Sequence, residues 1–220
     1  GVITAAMADG SGERYRRFSR PPYNLRIVTI NRPVDGVPSV HFDDEAAGRL
    51  AADHLEEIGC SFFCALGGDE SHPRMRGFLE RARTAGWTTA SVPSNGAEDT
   101  FATGRRLARR ALDGRLAGGR VPDGVFAFND LIAAGFVAEA LRAGLRVPGD
   151  VAVVGCDDTE VCDCVTPGLT SVATNPAATA AVAVERLAAL IAGRAGEPLH
   201  TMVPVALTVR DSTRRASVPA

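Results

Sequence analysis

The sequence predicts an α/β fold built on parallel sheets, and two observations support this class. Short runs of β-branched and apolar residues alternate with segments whose apolar residues recur at helical spacing. Clusters of glycine, proline, asparagine and aspartate separate these segments, as expected for turns and helix ends. Because strands that alternate with helices of about 10–15 residues form right-handed crossover units, neighbouring strands should run parallel.

The first half of the chain begins with the apolar run 1–4 and continues through four predicted strands. Asp43 and Asp44 offer a cap for the helix after the second strand, and Gly59 is typical of the residue that ends a helix. Pro73 suits the first turn of the next helix. The strands are predicted over 25–30, 37–42, 61–66 and 88–92, and the helices over 45–58, 73–86 and 99–112.

The same alternation continues after a glycine-rich loop over 114–122. Gly144 ends one predicted helix, and Asn175 followed by Pro176 begins a long helix that ends near Gly193. The second half adds strands over 124–128, 151–155 and 202–209, a helix over 131–143 and a frayed tail over 217–220.

Composition limits the classes of function. The 220 residues carry 24 positive side chains, all of them arginine, and 26 negative ones, for a formal charge of −2. With 45% hydrophobic and 23% charged residues, the composition is that of a soluble globular protein. No stretch approaches about 18 consecutive apolar residues, so neither a membrane span nor a membrane partner is predicted. The slightly acidic balance argues against a dedicated nucleic-acid-binding domain, which usually carries a basic excess.

Cysteine usage indicates the compartment. An odd number of cysteines at irregular spacing does not resemble a secreted disulfide framework, so a reduced cytoplasmic interior is the simpler interpretation. No positively charged segment followed by an apolar one marks a signal peptide. The cysteines are Cys60, Cys64, Cys156, Cys162 and Cys164.

Polar residues follow the predicted strands. In an open parallel sheet, ligands bind outside the carboxyl ends of the strands, so these positions form the candidate site. Carboxylates and amides pair with neighbouring hydroxyl groups, and a guanidinium group can hold two oxygens at once. The set is therefore typical of a site for a sugar or a nucleoside. Its members are Asn31 and the segments 42–44, 67–74, 129–130 and 157–158.

Enzyme and metal signatures are absent from the sequence. It contains no G-x-S-x-G motif, no P-loop and no H-E-x-x-H motif, and its four histidines lack metal-ligand spacing. Cys162 and Cys164 could join Cys156 in a thiol cluster, but no second C-x-C motif or histidine pair supports this. We therefore expect no enzymatic activity, no cofactor and no metal. A flavodoxin-like or hydrolase-type enzyme that uses Asp43, Asp44 or Asp157 is the weaker alternative.

Two clusters of arginines need an interpretation. One contains Arg14, Arg16, Arg17 and Arg20, and the other contains Arg105, Arg106, Arg109 and Arg110. Neither has the interleaved aromatic residues of a single-strand nucleic-acid binder. Solvated helix faces are therefore the expected role of both clusters.

A series of motifs runs through most of the chain in a consistent order. The longest segments are 122–130, 133–135 and 147–158, accompanied by 30–33, 38–40, 54–59, 74–78, 167–172 and 209–213. Together they resemble the effector-binding core of LacI/GalR-type transcriptional regulators.

The resemblance implies two Rossmann-like subdomains with parallel sheets, the periplasmic binding protein-like I fold, and a small ligand between them. Residues 1–41 and 173–198 would form the N-terminal subdomain, 42–172 and 199–213 the C-terminal one, and 214–220 a tail. Relative to such regulators, the helix-turn-helix, the hinge helix and the opening strands do not precede Gly1. The N-terminal subdomain is therefore expected to be incomplete, with an exposed sheet edge that is less ordered or is completed by another chain.

The resemblance also suggests the ligand-binding residues. Arg74 matches an arginine whose guanidinium group donates paired hydrogen bonds to ligand hydroxyls. Asp157 matches a carboxylate that accepts hydrogen bonds from such hydroxyls. Asn129 matches an amide that contacts the ligand, although it could instead cap the following helix. A surface arginine and a strand-end aspartate are the alternatives for the first two.

Three further positions are candidates with weaker support. Phe42 would form an apolar wall for a ring, or it is a core residue. Asn31 stands where some relatives carry a ligand-binding aspartate, and Asp44 is either a helix cap or a contact. Cys156 departs from the family, where an aromatic residue is common, and so places the inherited ligand specificity in doubt.

The predicted function is effector sensing and dimerisation in a LacI-type DNA-binding regulator, a repressor located in the cytoplasm. The effector would be a sugar-like small molecule, and the partner a second copy of the chain. Operator DNA would be bound only through a helix-turn-helix that these 220 residues lack. The alternative is a periplasmic-type sugar-binding protein of a transport system.

Overall fold

The computed structural model describes residues 1–6, 12–114, 116, 118–194 and 198–214. These residues are divided between two compact units. The first consists of Gly1–Asp43 and Thr174–Val205, and the second of Asp44–Ala173 and the chain from Ala206 onward. Each unit has its own parallel-stranded sheet flanked by helices, so the predicted fold class is confirmed. Apart from Arg214, the expected tail over 214–220 lies outside the described residues.

In chain order the elements are β1 (Val2–Ala5), α1 (Glu13–Phe18), β2 (Ile27–Ile30), β3 (Ser39–Phe42), α2 (Asp44–Glu57), β4 (Phe62–Gly67), α3 (Pro73–Thr84), β5 (Thr88–Pro93), α4 (Phe101–Leu112), β6 (Gly124–Ala127), α5 (Asp130–Arg142), β7 (Ala152–Cys156), α6 (Val161–Cys164), β8 (Thr170–Ala173), α7 (Pro176–Ile191), β9 (His200–Val203) and β10 (Ala206–Thr208).

The first unit is built on a four-stranded sheet in the order β1-β2-β3-β9, with all strands parallel. Strand β1 forms one edge of this sheet, where the sequence predicted an exposed edge. Helix α7 begins as expected, because the Asn175 side chain accepts a hydrogen bond from the backbone N–H of Ala178 and Pro176 occupies the first turn. Ala183 of this helix packs on Val28 and Val40 of the sheet.

The second unit is built on a six-stranded sheet in the order β10-β8-β7-β6-β4-β5. All of its neighbouring strands are parallel except β10, which pairs with β8 in the antiparallel direction. Strands β4, β6 and β7 are buried along their whole length, as expected for central strands covered on both faces. The carboxyl ends of these three strands therefore meet at one edge of the sheet, where the candidate site lies.

The strand predicted over 202–209 is wrong as a single element. Its first part is β9, which pairs with β3 in the first unit, and its second part is β10, which pairs with β8 in the second. Pro204 stands between them and has no backbone N–H to donate to a ladder. Residues 199–205, expected in the C-terminal subdomain, consequently lie in the first unit.

A buried hydroxyl network fixes the closing segment to the second unit. The Ser212 hydroxyl accepts from the backbone N–H of Thr170 at 2.8 Å and donates to the carbonyl of Val153 at 2.6 Å. The Thr213 hydroxyl lies 2.7 Å from Nε2 of His54 on α2. These contacts explain why short polar residues follow the last strand. Within the described part of the chain, no helix is long and apolar enough to cross a membrane.

Candidate ligand-binding site

Four of the six predicted site residues lie in the second unit, and the structure brings them together. Arg74 follows β4, Asn129 follows β6 and Asp157 follows β7, while Asp44 is the first residue of α2. They meet at the carboxyl edge of the sheet, which is where the open-sheet rule places ligands.

Arg74 is the centre of this group and is only 4% exposed. Its Nε donates to Oδ1 of Asp44 at 2.9 Å, and its Nη1 donates to the carbonyl oxygen of Phe128 at 2.5 Å. Its Nη2 lies 3.5 Å from Oδ1 of Asp157. The guanidinium carbon also stands 5.1 Å from the centre of the Phe128 ring, within cation–π range. The guanidinium plane is therefore fixed from several sides before any ligand arrives.

Close helix packing places Arg74 beside Asp44. The backbones of α2 and α3 touch at Gly48 and Gly77, where a Cβ atom would collide with the opposite helix. This close approach brings the first turns of the two helices together. His72 caps α3, because its ring nitrogen accepts from the backbone N–H of Arg74 at 3.3 Å.

Asp157 presents its carboxylate from an unusual backbone conformation. Its φ angle is +105°, and that of Asp158 is +52°, so the strand ends in two consecutive left-handed residues. The Asp158 carboxylate is bound by Arg210 at 2.7 Å and by the Thr208 hydroxyl at 2.8 Å. The Asp157 side chain, in contrast, is 36% exposed and faces Arg74 at a longer distance. Asp158 therefore anchors the turn, while Asp157 remains accessible to a ligand.

The electrostatics of the site are dominated by carboxylates around one cation. The pKa of Asp157 is raised to about 6, mainly by burial and also by the neighbouring Asp130, Asp44 and Asp99, while Arg74 opposes the shift. Burial also raises the pKa of Asp99, against the effect of Arg74. For Arg74, burial works to lower its pKa, but the surrounding anionic groups raise it above its ordinary value. The arginine therefore stays charged, while Asp157 titrates near neutral pH.

Asn129 performs the alternative role that the sequence left open. Its Oδ1 accepts from the backbone N–H of Ile132 at 2.9 Å, which caps α5, and its Nδ2 donates to the carbonyl of Asp99 at 3.3 Å. The side chain thus joins α5 to the loop before α4. A direct contact between Asn129 and a ligand stays a prediction.

The remaining two candidates belong to the first unit. Phe42 is the last residue of β3 and is half-buried. Asn31 directly follows β2, is exposed and has a φ angle of +76°. Both lie at the carboxyl ends of their strands, as predicted, and their part in ligand binding stays a prediction.

Asp130 belongs to the polar segment 129–130 but is not among the six residues predicted to contact a ligand, and it is 1% exposed beneath the site. Its carboxylate accepts from the backbone N–H and the hydroxyl of Thr159 at 2.8 and 2.9 Å, and from the Ser171 hydroxyl at 2.6 Å. Gly155 makes this placement possible, because a Cβ atom there would collide with Oδ1 of Asp130. Asp99 and Phe128 were also not selected; Phe128 was predicted as the last residue of a strand, whereas β6 ends at Ala127 and Phe128 follows it.

Burial makes Cys156 and Cys162 poorly suited to metal binding or redox chemistry. Cys156 and Cys162 are fully buried, and burial raises the pKa of both thiols, that of Cys162 to about 12. Neutral thiols of this kind are poor nucleophiles and poor metal ligands. Among the described residues, no group of three or more histidine, cysteine, aspartate or glutamate side chains could hold a metal ion.

Comparison with known proteins identifies the family. The sequence profile of the periplasmic binding protein-like domain matches residues 47–213. The ribose operon repressor of Halalkalibacterium halodurans is 29% identical over 196 residues, which cover 87% of this chain and 57% of the repressor. The chain spans about half the length of the curated relatives it matches.

Solved structures agree with the sequence comparison. A LacI family transcriptional regulator from Mycobacterium smegmatis is 30% identical, with a TM-score of 0.77 over 96% of this chain and 78% of the regulator. The chain belongs to the LacI family. Another LacI-type structure, that of the transcriptional regulator CelR in complex with cellobiose, is 25% identical, with a TM-score of 0.80 over 96% of this chain and 65% of CelR. The resemblance stated from the motifs is confirmed.

Proposed function

We propose that this chain is the effector-sensing part of a LacI-type transcriptional regulator and that it binds a sugar-like small molecule at the strand-end site of the second unit. The observation that carries the proposal is the buried Arg74 guanidinium, held between Asp44 and the accessible Asp157. The binding of cellobiose by CelR supports a sugar as the class of ligand.

The geometry suits neighbouring hydroxyl groups. Arg74 is oriented by the carboxylate of Asp44 and the carbonyl of Phe128, so binding a ligand oxygen requires little ordering of this side chain. The ionised carboxylate of Asp157 accepts hydrogen bonds from hydroxyl donors. In this proposal Asn129, which caps α5, links occupancy of the site to the start of that helix.

The proposal extends to the whole protein. We infer a cytoplasmic, non-enzymatic regulator that acts as a homodimer and reaches operator DNA through a helix-turn-helix outside this chain. Effector binding would shift the operator affinity of the dimer by favouring one of its conformations. No membrane partner is proposed.

Calorimetric titration of the purified chain tests the ligand site, starting with ribose and cellobiose and extending to other sugars and to nucleosides. Asp157→Asn should weaken binding of any hit at least about tenfold, because a neutral amide replaces a charged acceptor of similar shape. Arg81→Ala is the matched control. Arg81 lies on the same helix and pairs with Asp53 and Glu56, away from the strand ends. Equal affinity of the Asp157 variant and the wild type would place the ligand elsewhere.

The pH dependence of binding provides an independent test. If the ionised form of Asp157 binds the ligand, affinity should fall about tenfold between pH 7.5 and pH 5, because the pKa of this carboxyl is about 6. The Asp157→Asn variant should show a flat profile over the same range. A wild-type profile that is equally flat would remove Asp157 from the site.

Two observations separate this regulator from the transport-type alternative. The coding sequence upstream of Gly1 should include a helix-turn-helix rather than a secretion signal. The protein should have the mass of a dimer in sedimentation experiments. Chemical turnover of a bound sugar would instead support the enzyme alternative and overturn the proposal.

A further inference from the structure

The first unit carries a dense positive surface that the sugar site does not use. Arg14, Arg16 and Arg17 lie on α1, and Arg20 follows in the next turn. All four side chains are exposed. We refer to these residues as the arginine cluster.

The charge of this cluster is not neutralised by the surrounding structure. Within the described residues, no carboxylate lies within ion-pair distance of any of the four side chains, although many arginines of the second unit have one. Arg16 donates to the backbone carbonyl of Asp35 at 2.8 Å, which orients its guanidinium but leaves its charge in place. Like charges three and four residues apart on a helix repel one another. An anion bound at the cluster would relieve this repulsion.

The four side chains converge on a concavity rather than on a flat face. They line a space of about 650 Å³ together with Phe18, Pro21 and Glu13, which is the one acidic residue among the described residues that line it. This volume falls within the range of about 300–1,000 Å³ typical of small-molecule sites. Phe18 is 37% exposed and packs edge-on against the exposed ring of Tyr23, with 5.2 Å between the ring centres. The wall therefore offers an apolar ring beside several guanidinium groups.

We propose that this concavity binds a phosphorylated small molecule that carries at least two negative charges, as a second ligand of the protein. Guanidinium groups hold phosphate oxygens through paired, charge-assisted hydrogen bonds, and several of them can share a multiply charged ligand. The exposed Phe18 ring suits the apolar face of a sugar or a base attached to the phosphate. The proposal does not depend on the sugar site, because the residues of that site around Arg74 lie in the second unit.

The dimensions favour a small ligand over nucleic acid. Arg20 lies six positions after Arg14 in the sequence, which corresponds to about 9 Å along a helix. The cluster can thus reach one or two phosphate groups, whereas a protein that binds duplex DNA typically contacts about 6–10 of them. The convergence of the four side chains on one concavity also favours a small ligand over nucleic acid.

Calorimetric titration of the chain with inorganic pyrophosphate tests the proposal, at about 0.15 M salt so that diffuse surface attraction is screened. We expect saturable binding with one ligand per chain. The double variant Arg17→Gln with Arg20→Gln should weaken this binding at least about tenfold, because each lost guanidinium removes charge-assisted hydrogen bonds. A ribose or hexose phosphate should bind at least as tightly as pyrophosphate, since it adds contact with Phe18.

The matched control is the double variant Arg106→Gln with Arg110→Gln. These two arginines are exposed on α4, one helical turn apart, and no described carboxylate pairs with them. Their loss should change pyrophosphate affinity less than about twofold, and thermal melting should show that both double variants fold. Equal losses in the two double variants, or a failure to saturate, would overturn the proposal. Binding of duplex DNA alone, with a steep dependence on salt, would also overturn it and make the cluster a DNA contact.

Discussion

In the second unit, many arginines are bound to carboxylates on their own or neighbouring helices, as with Arg49, Arg81, Arg105 and Arg109. In the first unit, no described carboxylate lies within ion-pair distance of a described arginine. The two units thus differ in how often their arginines are paired. Paired guanidinium groups hold polar side chains in place, whereas unpaired ones leave charge available at the surface.

The comparison of paired and unpaired arginines shows how burial decides the role of an arginine. Arg74 is buried and needs its carboxylates, because an isolated charge inside a protein is strongly unfavourable. Arg17 is exposed, so water stabilises its charge and no partner is required. A paired, buried arginine can orient a ligand, and an exposed cluster can attract one.

The largest expected effect is that of Arg74→Ala. Its loss would leave Asp44 and Asp157 without their cation, and the free energy of unfolding should fall by about 3 kcal/mol. Chemical denaturation measures this change. The control Arg81→Ala removes two partly exposed ion pairs and should cost at most about 1 kcal/mol. If both variants lost similar amounts of stability, the buried Arg74 would not differ from the more exposed Arg81 in its contribution.

A smaller effect is expected for Asp130→Asn. The amide retains the shape of the carboxylate, but its NH₂ group would face donors of Thr159 or Ser171, so unfolding should become easier by about 2 kcal/mol. Asp99→Asn is the matched control. Since the ionised form of Asp99 is already disfavoured by burial, its neutralisation should not reduce stability. Denaturation curves of the two variants at neutral pH make the comparison.

Asp157→Asn should stabilise the protein, whereas Arg74→Ala and Asp130→Asn should destabilise it. The folded-state pKa of about 6 lies above the ordinary value of 3.8, so ionisation is less favourable in the folded protein than in the unfolded chain. The contribution of Asp157 to the stability of the wild type should therefore fall as pH rises from about 4 to 7. With a third of the side chain exposed, we expect the variant to gain about 1 kcal/mol at pH 7.5 and nothing near pH 4. A loss of stability at pH 7.5 would contradict this account of the site.

The smallest effect is expected in the first unit. Without any bound anion, the double variant Arg17→Gln with Arg20→Gln should be as stable as the wild type or more stable by up to about 0.5 kcal/mol, because like charges are removed. Thermal melting in phosphate-free buffer at low salt provides the measurement. A clear destabilisation would show that these arginines have structural partners, and the two units would then differ less than their ion pairs suggest.

Elements with strong local signals could be predicted from the sequence. Asn175 and Pro176 mark the start of α7, and Gly193 follows its end, because caps and fixed φ angles act within one turn. The polar residues after β4, β6 and β7 indicated the site, since a parallel sheet gathers its carboxyl ends at one edge. Arg74 and Asp44 could be selected for the same reason.

The rest depends on contacts between distant segments. The division of 202–209 into β9 and β10 depends on pairing with β3 and β8, which local periodicity does not encode. The buried position of Asp130 depends on Thr159 and Ser171, and its role is visible only once β7 and β8 are adjacent. The short helix α6 lacks the length over which helical spacing becomes recognisable.

The crossings of the chain between the two units have a consequence for synthesis on the ribosome. The chain changes unit after Asp43, after Ala173 and again after Val205. The sheet of the first unit lacks β9, and the sheet of the second lacks β10, until residues 200–208 have been translated. The sheet of the first unit therefore cannot be completed before residues 44–173 of the second unit have been made. Ribosome-bound intermediates should expose the edges of both sheets until these two strands are available.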